Sequence, residues 1–335
     1  MGRILCFGEL LLRLTAPGRE LLLQSGRLDV HVGGAEANVA VALARLGHET
    51  AMAGRLPDNA LGEAAAGYLR RHGVSTAGIS TGPGRMGLYF LSPGAGLRPS
   101  DIVYDREGSS FALAGSGDFD WNALLEGVDL LHLSGITPAL GENSAKAAIA
   151  AAEAAKGRGV AISFDGNYRA QLWQRWDSDP QGTLTELVEK ADILFGNHRD
   201  ISLLLGRDFS GEGEARRREA ADAMFDRFPG LDLIASTARH VADADTHRIS
   251  ARIDGRGGSA QTEEVVVAGI VDRIGAGDAF AAGILHGMRT GLDLEATVRS
   301  GLALTCLKHS LAGDASLFGQ RDIDAFLAGE LDVRR

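Results

Sequence analysis

Short apolar segments recur along this 335-residue chain, and alanine-rich segments with helical character separate several of them. Apolar runs of this length, bounded by turn residues, are typical of buried strands. They lie at residues 4–7, 128–133, 160–164, 193–195 and 231–235, and the alanine-rich segments lie at 35–46, 143–156 and 215–228. Strands that alternate with helices favour right-handed βαβ units. The chain is therefore predicted to form an α/β fold with a parallel sheet covered on both faces.

Two regions interrupt this alternation. Residues 10–33 and 85–111 are rich in Gly, Pro, Thr, Ser and Tyr, and the second contains the strand-like run LYFL at residues 88–91. We expect both regions to supply strands of a small accessory sheet that covers the ligand-binding edge as a lid. Because no internal repeat or low-complexity linker is evident, one domain over residues 1–335 is expected.

Charge and composition restrict the partners. The chain has 34 Lys and Arg against 44 Asp and Glu, a formal charge of -10, and no basic cluster suited to a nucleic-acid backbone. No apolar run reaches the ~18 residues that a membrane helix needs. Cys6 and Cys306 lie far apart in apolar runs, which indicates neither a disulfide framework nor a metal site. We expect a cytoplasmic protein with no nucleic-acid or membrane partner.

One glycine-rich segment matches the spacing of a dinucleotide-binding loop. The segment GPGRMG at residues 82–87 precedes a strand-like run instead of opening a helix, and Pro83 lacks the amide hydrogen that a phosphate would use. A plain turn is expected here. The hypothesis of a nicotinamide-dependent dehydrogenase depends on this match alone.

A second glycine-rich segment, GAGD at residues 275–278, has a different context. A strand-like run at 263–271 precedes it and a helix is predicted over 279–288. The amides of Ala276, Gly277 and Asp278 would then lie at a helix N-terminus, where free donors and the helix dipole favour an anion. The Asp278 carboxylate could cap this helix or act in catalysis, and the segment alone leaves both interpretations open.

The choice between helix capping and catalysis for Asp278 changes when GAGD is considered together with VGGAEANVA at residues 32–40. The pair resembles the two signatures of the PfkB (ribokinase-like) carbohydrate kinases. Within that family, LHLSGITPAL at 131–140, DGNYR at 165–169 and YDREGS at 104–109 are similar to kinases of 2-keto-3-deoxygluconate. The resemblance extends over nearly the whole chain, from about residue 4 to residue 327.

The resemblance implies a fold and an activity. The fold is the ribokinase-like three-layer α/β fold, with a mostly parallel central sheet flanked by helices and a small β-sheet lid. The activity is ATP- and Mg²⁺-dependent phosphorylation of 2-keto-3-deoxygluconate to its 6-phosphate. Asp278 would be the general base, and Gly275, Ala276 and Gly277 would complete an anion hole with it.

The resemblance also implies residues on the sugar side of the site. Arg106 and Arg169 would face the substrate, where the planar guanidinium group suits a carboxylate, and the hydroxyl groups of Tyr89 and Tyr104 would add donors. The full implied substrate-binding set is Gly34, Asn38, Tyr89, Tyr104, Arg106, Arg169 and Asp314.

On the nucleotide side, Asn197 and Asp200 match an Asn-x-x-Glu motif that holds magnesium and phosphate through water, with a carboxylate one methylene shorter. Oxygen ligands of this kind suit Mg²⁺, although an exposed surface pair is the alternative. The implied nucleotide-binding set is Ile136, Asn167, Asn197, Ser236, Thr237, Gly275 and Gly277.

The nucleotide side also departs from the family. Many members carry a Lys-x-Gly-x-x-Gly turn after the strand at 231–235, whereas this chain has STARHV at 236–241, without glycine. Ser236, Thr237 and Arg239 could contact phosphate from an altered turn. A kinase for a neutral sugar and a non-catalytic sugar- or nucleotide-sensing protein therefore stay open as alternatives. A homo-oligomer is expected, and the exposed edges of the lid are its candidate contact.

Overall fold

The computed structural model of the protein describes residues 2–209 and 213–330. The strands are β1 (Arg3–Phe7), β2 (Leu11–Thr15), β3 (Asp29–Gly33), β4 (Thr50–Pro57), β5 (Val74–Gly82), β6 (Gly87–Ser92), β7 (Asp101–Asp105), β8 (Val128–Ser134), β9 (Ala161–Asp165), β10 (Ile193–Phe195), β11 (Leu233–Asp243), β12 (Thr246–Gly255), β13 (Gly258–Gln261) and β14 (Val265–Ala268).

Helices of very different length connect or cover these strands. They are α1 (Ala35–Arg45), α2 (Ala60–Arg71), α3 (Ser110–Leu113), α4 (Trp121–Leu124), α5 (Glu142–Gly157), α6 (Ala170–Trp173), α7 (Pro180–Val188), α8 (His198–Leu205), α9 (Glu214–Arg227), α10 (Ala276–Arg289), α11 (Leu294–Lys308) and α12 (Gln320–Leu327). None of the helices within the described ranges is both long and apolar enough to cross a lipid bilayer.

The large sheet has the order β13-β12-β11-β10-β9-β8-β1-β4-β5, and β14 also pairs with β12. All neighbours from β5 to β11 are parallel, while β12, β13 and β14 add an antiparallel end. This confirms the predicted mostly parallel α/β sheet.

Helices cover both faces of this sheet, and β1 shows why its sequence is continuously apolar. Ile4 and Cys6 belong to the apolar cluster that includes α1, α10 and α11, whereas Leu5 and Phe7 belong to the cluster that includes α5 and α9. Successive side chains of a strand point to opposite faces. Burial on both faces therefore requires an apolar residue at every position, and the result is a three-layer arrangement.

A separate sheet of four strands has the order β3-β2-β6-β7. Its strands lie within residues 10–33 and 85–111, the two regions that interrupt the α/β alternation. His31, Arg13, Tyr89 and Tyr104 form one cross-strand row of this lid sheet. This row of polar side chains on one face distinguishes the lid sheet from the large sheet, whose central strands are apolar on both faces.

Two local predictions need correction. The segment 236–241 is not a turn: β11 continues to Asp243, and each residue from Ser236 to Val241 pairs with β12. Without a glycine or proline, the chain extends the strand and reverses only near residues 243–246.

The helix expected over 279–288 begins earlier, at Ala276. The segment 82–87 joins β5 to β6 and opens no helix, in agreement with a plain turn.

Candidate active site

The candidate active site forms where the carboxyl ends of β9 and β10 meet the start of α10. Parallel α/β sheets commonly bind ligands at the carboxyl ends of their strands. Asp165 ends β9, Asn197 follows β10, and Asp278 lies in the first turn of α10. Asn38 of α1 reaches the same place, so residues far apart in the sequence converge.

Asp278 accepts a hydrogen bond from Asn38, whose Nδ2 lies 2.7 Å from the Asp278 Oδ2. No side-chain hydrogen bond caps the N-terminus of α10. The capping interpretation of Asp278 is therefore wrong, since its carboxylate is directed to another helix instead of to the amides of its own.

The carboxyl of Asp278 has an unusual affinity for protons. Burial raises its pKa to about 7, and the charges of Asp314 and Glu36 act in the same direction, while the Asn38 hydrogen bond and Arg169 oppose them. A carboxylate with a pKa close to neutrality is well matched to accept a proton in general-base catalysis. Desolvation of the ionised form is the main cause.

Gly275 makes the turn before α10 possible. Its φ is +78°, and an added Cβ would lie only 1.7 Å from the carbonyl oxygen of Asp314. The backbone folds back so tightly that the Ala276 amide donates to the Arg273 carbonyl at 3.3 Å. Of the three amides predicted for the anion hole, that of Ala276 is thus used inside the turn. Gly277 and Asp278 keep first-turn positions, where a helix offers their amides no acceptor.

The guanidinium group of Arg106 forms an ion pair with a carboxylate of the protein. It is 4% exposed, and its Nε lies 2.5 Å from the Oε2 of Glu9, which is 1% exposed. The Arg106 side chain makes no other hydrogen bond among the residues that the structure describes. Its positive charge is therefore already compensated by the protein, a feature that the resemblance did not reveal.

Tyr89 and Asp314 also bind each other. The Tyr89 hydroxyl donates to Asp314 Oδ2 at 2.6 Å, and Asp314 is 3% exposed. Burial raises the pKa of Asp314, and Arg13 and Tyr89 counteract that shift. Tyr104 lies beside Tyr89, with ring centroids 6.3 Å apart. The two tyrosines thus belong to the lid face that covers Asp314.

Gly34 has a structural reason to be glycine. Its φ is +145°, and an added Cβ would lie 2.3 Å from the backbone oxygen of Glu9. A side chain here would collide with the protein itself. The fold itself therefore requires glycine at this position, whether or not Gly34 also contacts the sugar.

Three arginines with no ion-pair partner in the described parts of the chain surround the start of α10: Arg169, Arg239 and Arg273. Burial lowers the pKa of Arg239, and the positive charges of Arg273 and Arg169 lower it further. The Nε of Arg273 is buried without a hydrogen-bond partner in the described residues. Uncompensated cations held this close favour an anionic ligand.

Several polar residues implied for the nucleotide side are engaged in local structure. Asn197 is the N-cap of α8: its Oδ1 accepts the Arg199 amide at 2.8 Å, and Asp200 Oδ2 accepts the Asn197 amide at 2.8 Å. Asn167 has a left-handed φ of +38°, and its amide donates to Asp165 Oδ1 at 3.1 Å. Asn197 and Asp200 thus form a capping box at the start of α8, a local role that agrees with the surface-pair alternative, and their contact with magnesium stays a prediction.

Ser236, Thr237 and Ile136 have less distinctive surroundings. Ser236 and Thr237 are partly buried within β11, opposite Arg252 and Ala251 of β12. Ile136 packs against the apolar cluster that includes α5. Their proposed contacts with a nucleotide stay predictions.

Comparison with known proteins resolves the family. The profile of the pfkB family carbohydrate kinases matches residues 1–317. The chain belongs to the PfkB family of carbohydrate kinases. It is 30% identical over 332 residues to the 2-dehydro-3-deoxygalactonokinase of Haloferax volcanii, covering 98% of this chain and 97% of that protein.

Solved structures agree with this assignment. The crystal structure of 2-dehydro-3-deoxygluconokinase from Thermotoga maritima is 35% identical, with a TM-score of 0.93 over 98% of this chain and 100% of that chain. A candidate ribokinase II from E. coli, solved with ATP and Mg²⁺, is 19% identical and has the same fold, with a TM-score of 0.82 over 98% of this chain and 100% of that chain. The ribokinase-like fold with its lid is thereby confirmed, and the protein is a carbohydrate kinase.

The oxygen donors of this kinase fit a magnesium ion that is bound mainly by phosphate and water. Across the two described ranges, no three His, Cys, Asp or Glu side chains are grouped to hold a metal ion. Asp200 uses Oδ2 for the capping box, which leaves Oδ1 for an ion or its water. Mg²⁺ typically keeps several waters and takes one or two carboxylates together with substrate phosphates.

Four residues near the site were not singled out from the sequence as site residues: Glu9, Arg13, Glu36 and Asp165. Glu36 accepts hydrogen bonds from Ser134 and Thr137, both at 2.7 Å. Burial raises the pKa of Asp165 to about 8, assisted by the charges of Asp278 and Asp200. A charged residue inside an apolar run, as at Glu9 and Arg13, is the signal that could have identified two of them.

Proposed function

We propose that this carbohydrate kinase transfers the terminal phosphoryl group of ATP to the 6-hydroxyl of 2-keto-3-deoxygluconate, with Mg²⁺ bound to the nucleotide. The observation that carries the proposal is Asp278, a carboxylate with a pKa of about 7 at the start of α10. Two relatives, 30% and 35% identical to this chain, are named as kinases of 2-dehydro-3-deoxy sugar acids, and these names support this substrate class.

The proposed step is a direct phosphoryl transfer. Asp278 takes the proton from the sugar hydroxyl as the new oxygen-phosphorus bond forms, and the bond between the β,γ-bridging oxygen and the terminal phosphorus breaks to release ADP. The amides of Gly277 and Asp278 stabilise the charge on the transferring group. Mg²⁺, when bound, neutralises phosphate charge.

Arg169 is the residue that we propose to recognise the substrate carboxylate. It is exposed and has no carboxylate partner among the described residues, whereas Glu9 already compensates the charge of Arg106. Arg106 would then contribute to sugar binding through hydrogen bonds from its terminal nitrogens and less through its net charge. Gly34, Asn38, Tyr89, Tyr104 and Asp314 stay in the proposed sugar-side set as contacts or supports.

The test is an ADP-release assay with purified protein across sugar acids and neutral sugars, run on wild type, Asp278→Asn and Asp293→Asn. Asp293 is a matched control because it caps α11, with its Oδ1 2.8 Å from the Ala296 amide. We expect turnover of 2-keto-3-deoxygluconate, a loss of about 10³-fold or more in kcat for Asp278→Asn, and nearly normal kcat for Asp293→Asn. Near-normal turnover by Asp278→Asn would overturn the assignment of the base.

The pairing of Arg106 with Glu9 keeps a neutral-sugar kinase as the second candidate, because it leaves one cation fewer for a sugar acid. Turnover of fructose or ribose with no response to sugar acids would favour that candidate. A folded protein that binds a sugar or ATP but phosphorylates none of the panel would instead support the sensing hypothesis, which the strand at 236–241 motivates.

We further propose that the chain works as one kinase domain in the cytoplasm, without nucleic-acid or membrane partners, and pairs with a second copy through the lid. Cys6 and Cys306 are both free and buried, which suits a reducing compartment. On the lid face opposite Arg13 and Tyr89, an apolar row crosses all four strands: Val30, Leu14, Phe90 and Val103.

The two ends of this apolar row are accessible, with Val30 58% and Val103 50% exposed. A continuous apolar row across a sheet face is self-complementary in a symmetric dimer. Sedimentation velocity should show a dimer for wild type and for Val241→Lys, an exposed valine outside the lid sheet. Val103→Lys should sediment as a monomer, and an unchanged dimer would refute the lid contact.

A further inference from the structure

Arg13 is a buried cation in the middle of the lid strand β2. Its side chain is 1% exposed, although the neighbouring positions Leu12 and Leu14 are apolar. A buried charge costs several kcal/mol unless partners compensate it. The position therefore requires specific acceptors, and they come from the main domain.

Two carboxylates of the main domain surround the Arg13 guanidinium group. Its Nη2 lies 2.5 Å from Asp272 Oδ2, and its Nε lies 3.2 Å from Asp314 Oδ1. Asp314 in turn accepts the hydroxyl of Tyr89 from β6. Strand β2 thus contacts both carboxylates and β6 contacts one of them, Asp314. The two carboxylates lie 259 and 301 positions along the chain from Arg13.

Both carboxylates belong to segments that shape the turn before α10. Asp272 Oδ1 accepts the Ile274 amide at 2.9 Å, and Asp272 Oδ2 accepts the Gly313 amide at 3.1 Å. The carbonyl oxygen of Asp314 is packed so closely on Gly275 that no Cβ fits between them. Movement of either carboxylate would therefore move the Gly275 turn.

Arg13 cannot itself be a substrate contact. Its side chain is almost fully enclosed, and Tyr89 and Asp314 lie against it. Its charge also prevents Asp272 and Asp314 from facing a polyphosphate site as uncompensated anions, which would repel the ligand.

We propose that Arg13 is a positioning residue, which couples the lid to the anion-binding turn by holding Asp272 and Asp314 against the backbone of residues 273–275. The proposal rests on the proposed kinase function and adds a residue that acts through the turn, not on the ligand. Displacing a reacting group by about 1 Å can cost about 10²-fold in rate, so the effect belongs in kcat.

The test compares Arg13→Met, Arg13→Lys and Arg19→Met in full-length protein. Arg19 is the matched control: it precedes β3 in the same lid region and pairs with Asp245, but 58% of its side chain is exposed. For Arg13→Met we expect kcat to fall by about 10²-fold while the KM values for sugar acid and ATP change less than about threefold. Arg13→Lys should recover part of kcat because it keeps the charge, and Arg19→Met should match wild type.

A second measurement does not depend on activity. Amide hydrogen exchange of the peptide covering residues 273–279 should accelerate in Arg13→Met and in Asp272→Asn, but not in Arg19→Met. Asp272→Asn also covers the case in which Arg13→Met does not fold. If the wild type phosphorylates no sugar, the proposed function fails, whereas this exchange result still tests the coupling.

Two outcomes would overturn the proposal. One is a folded Arg13→Met variant with unchanged kcat and unchanged amide hydrogen exchange at residues 273–279. This result would mean that the ion pair stabilises the lid but does not influence the turn. The other is a large increase in the KM for the sugar with unchanged kcat, which would make Arg13 a ligand contact.

Discussion

The lid side of the site and the side at the start of α10 differ in how the protein balances positive charge. On the lid side, Arg13 and Arg106 are nearly inaccessible to solvent, and carboxylates of the protein compensate both. At the start of α10, Arg169, Arg239 and Arg273 have no ion-pair partner within the described residues.

This difference indicates what each side does before a ligand arrives. Compensated charges in a low-dielectric environment hold a fixed geometry, which preorganises donors for the substrate. Arginines without an ion pair repel one another, and a bound anion stabilises them. The lid side thus holds groups in a fixed geometry, and the side near α10 provides positive charge for an anionic ligand.

The largest expected effect is a loss of stability when the ion pair of Arg106 with Glu9 is broken on the lid side. Arg106→Leu leaves Glu9 buried without its partner, so the free energy of unfolding should fall by about 3–5 kcal/mol in denaturant titrations. The double variant Arg106→Leu with Glu9→Gln should regain much of that loss. A decrease below about 1 kcal/mol would show that the pair is not needed to balance a buried charge.

The same replacement of an arginine by leucine at the start of α10 should affect binding instead of stability. For Arg169→Leu we expect kcat/KM for the sugar acid to fall about 10- to 100-fold, the equivalent of losing a hydrogen bond to a charged group. The free energy of unfolding should stay within about 0.5 kcal/mol of wild type. Arg299→Leu, an exposed arginine of α11, is the control. An equal loss with neutral sugars would contradict a role in carboxylate recognition.

Between the two sides, Asp278 should control the pH dependence. A base acts only when ionised, so kcat/KM should decrease as the pH falls through about 7, the pKa of this carboxyl. Asn38→Ala removes a hydrogen bond that favours the ionised form, which should move the acid limb to higher pH by about one unit. Asp314, Glu36 and Arg169 also act on this pKa and stay in place.

Asn59→Ala is the control for the pH profile, because Asn59 is an N-cap, whose Oδ1 accepts the Leu61 and Gly62 amides at the start of α2. Its acid limb should coincide with that of wild type. A shift to lower pH in Asn38→Ala would contradict the proposed stabilisation of the ionised carboxylate.

The smallest expected effect concerns one member of the arginine group. Arg239→Met should raise the KM for ATP about three- to tenfold, while the unfolding free energy should not decrease, because the replacement relieves like-charge repulsion. Arg248→Met on the adjacent strand β12 is the control, since Arg248 contacts Glu264 and is 57% exposed. Destabilisation by Arg239→Met without a change in KM would remove Arg239 from the nucleotide side.

Local sequence patterns predicted most of the fold because they reflect local causes. The run ILCF in β1 is apolar at every position because helices cover both faces of the sheet. The motif around Gly275 predicted a turn into a helix because a left-handed residue is needed there. At 236–241 the family pattern suggests a turn, but the segment has no glycine or proline to make one, and β11 continues through it.

The sequence by itself determined the α/β alternation, the two lid regions and the family signatures, including the carboxylate at position 278. Only the tertiary structure decided which charged groups neutralise each other. Arg13 and Asp272 are 259 residues apart in the chain yet 2.5 Å apart in space, whereas Arg169 has no such partner among the described residues. Coulomb and desolvation energies depend on distance and burial, and neither quantity is a property of residue order.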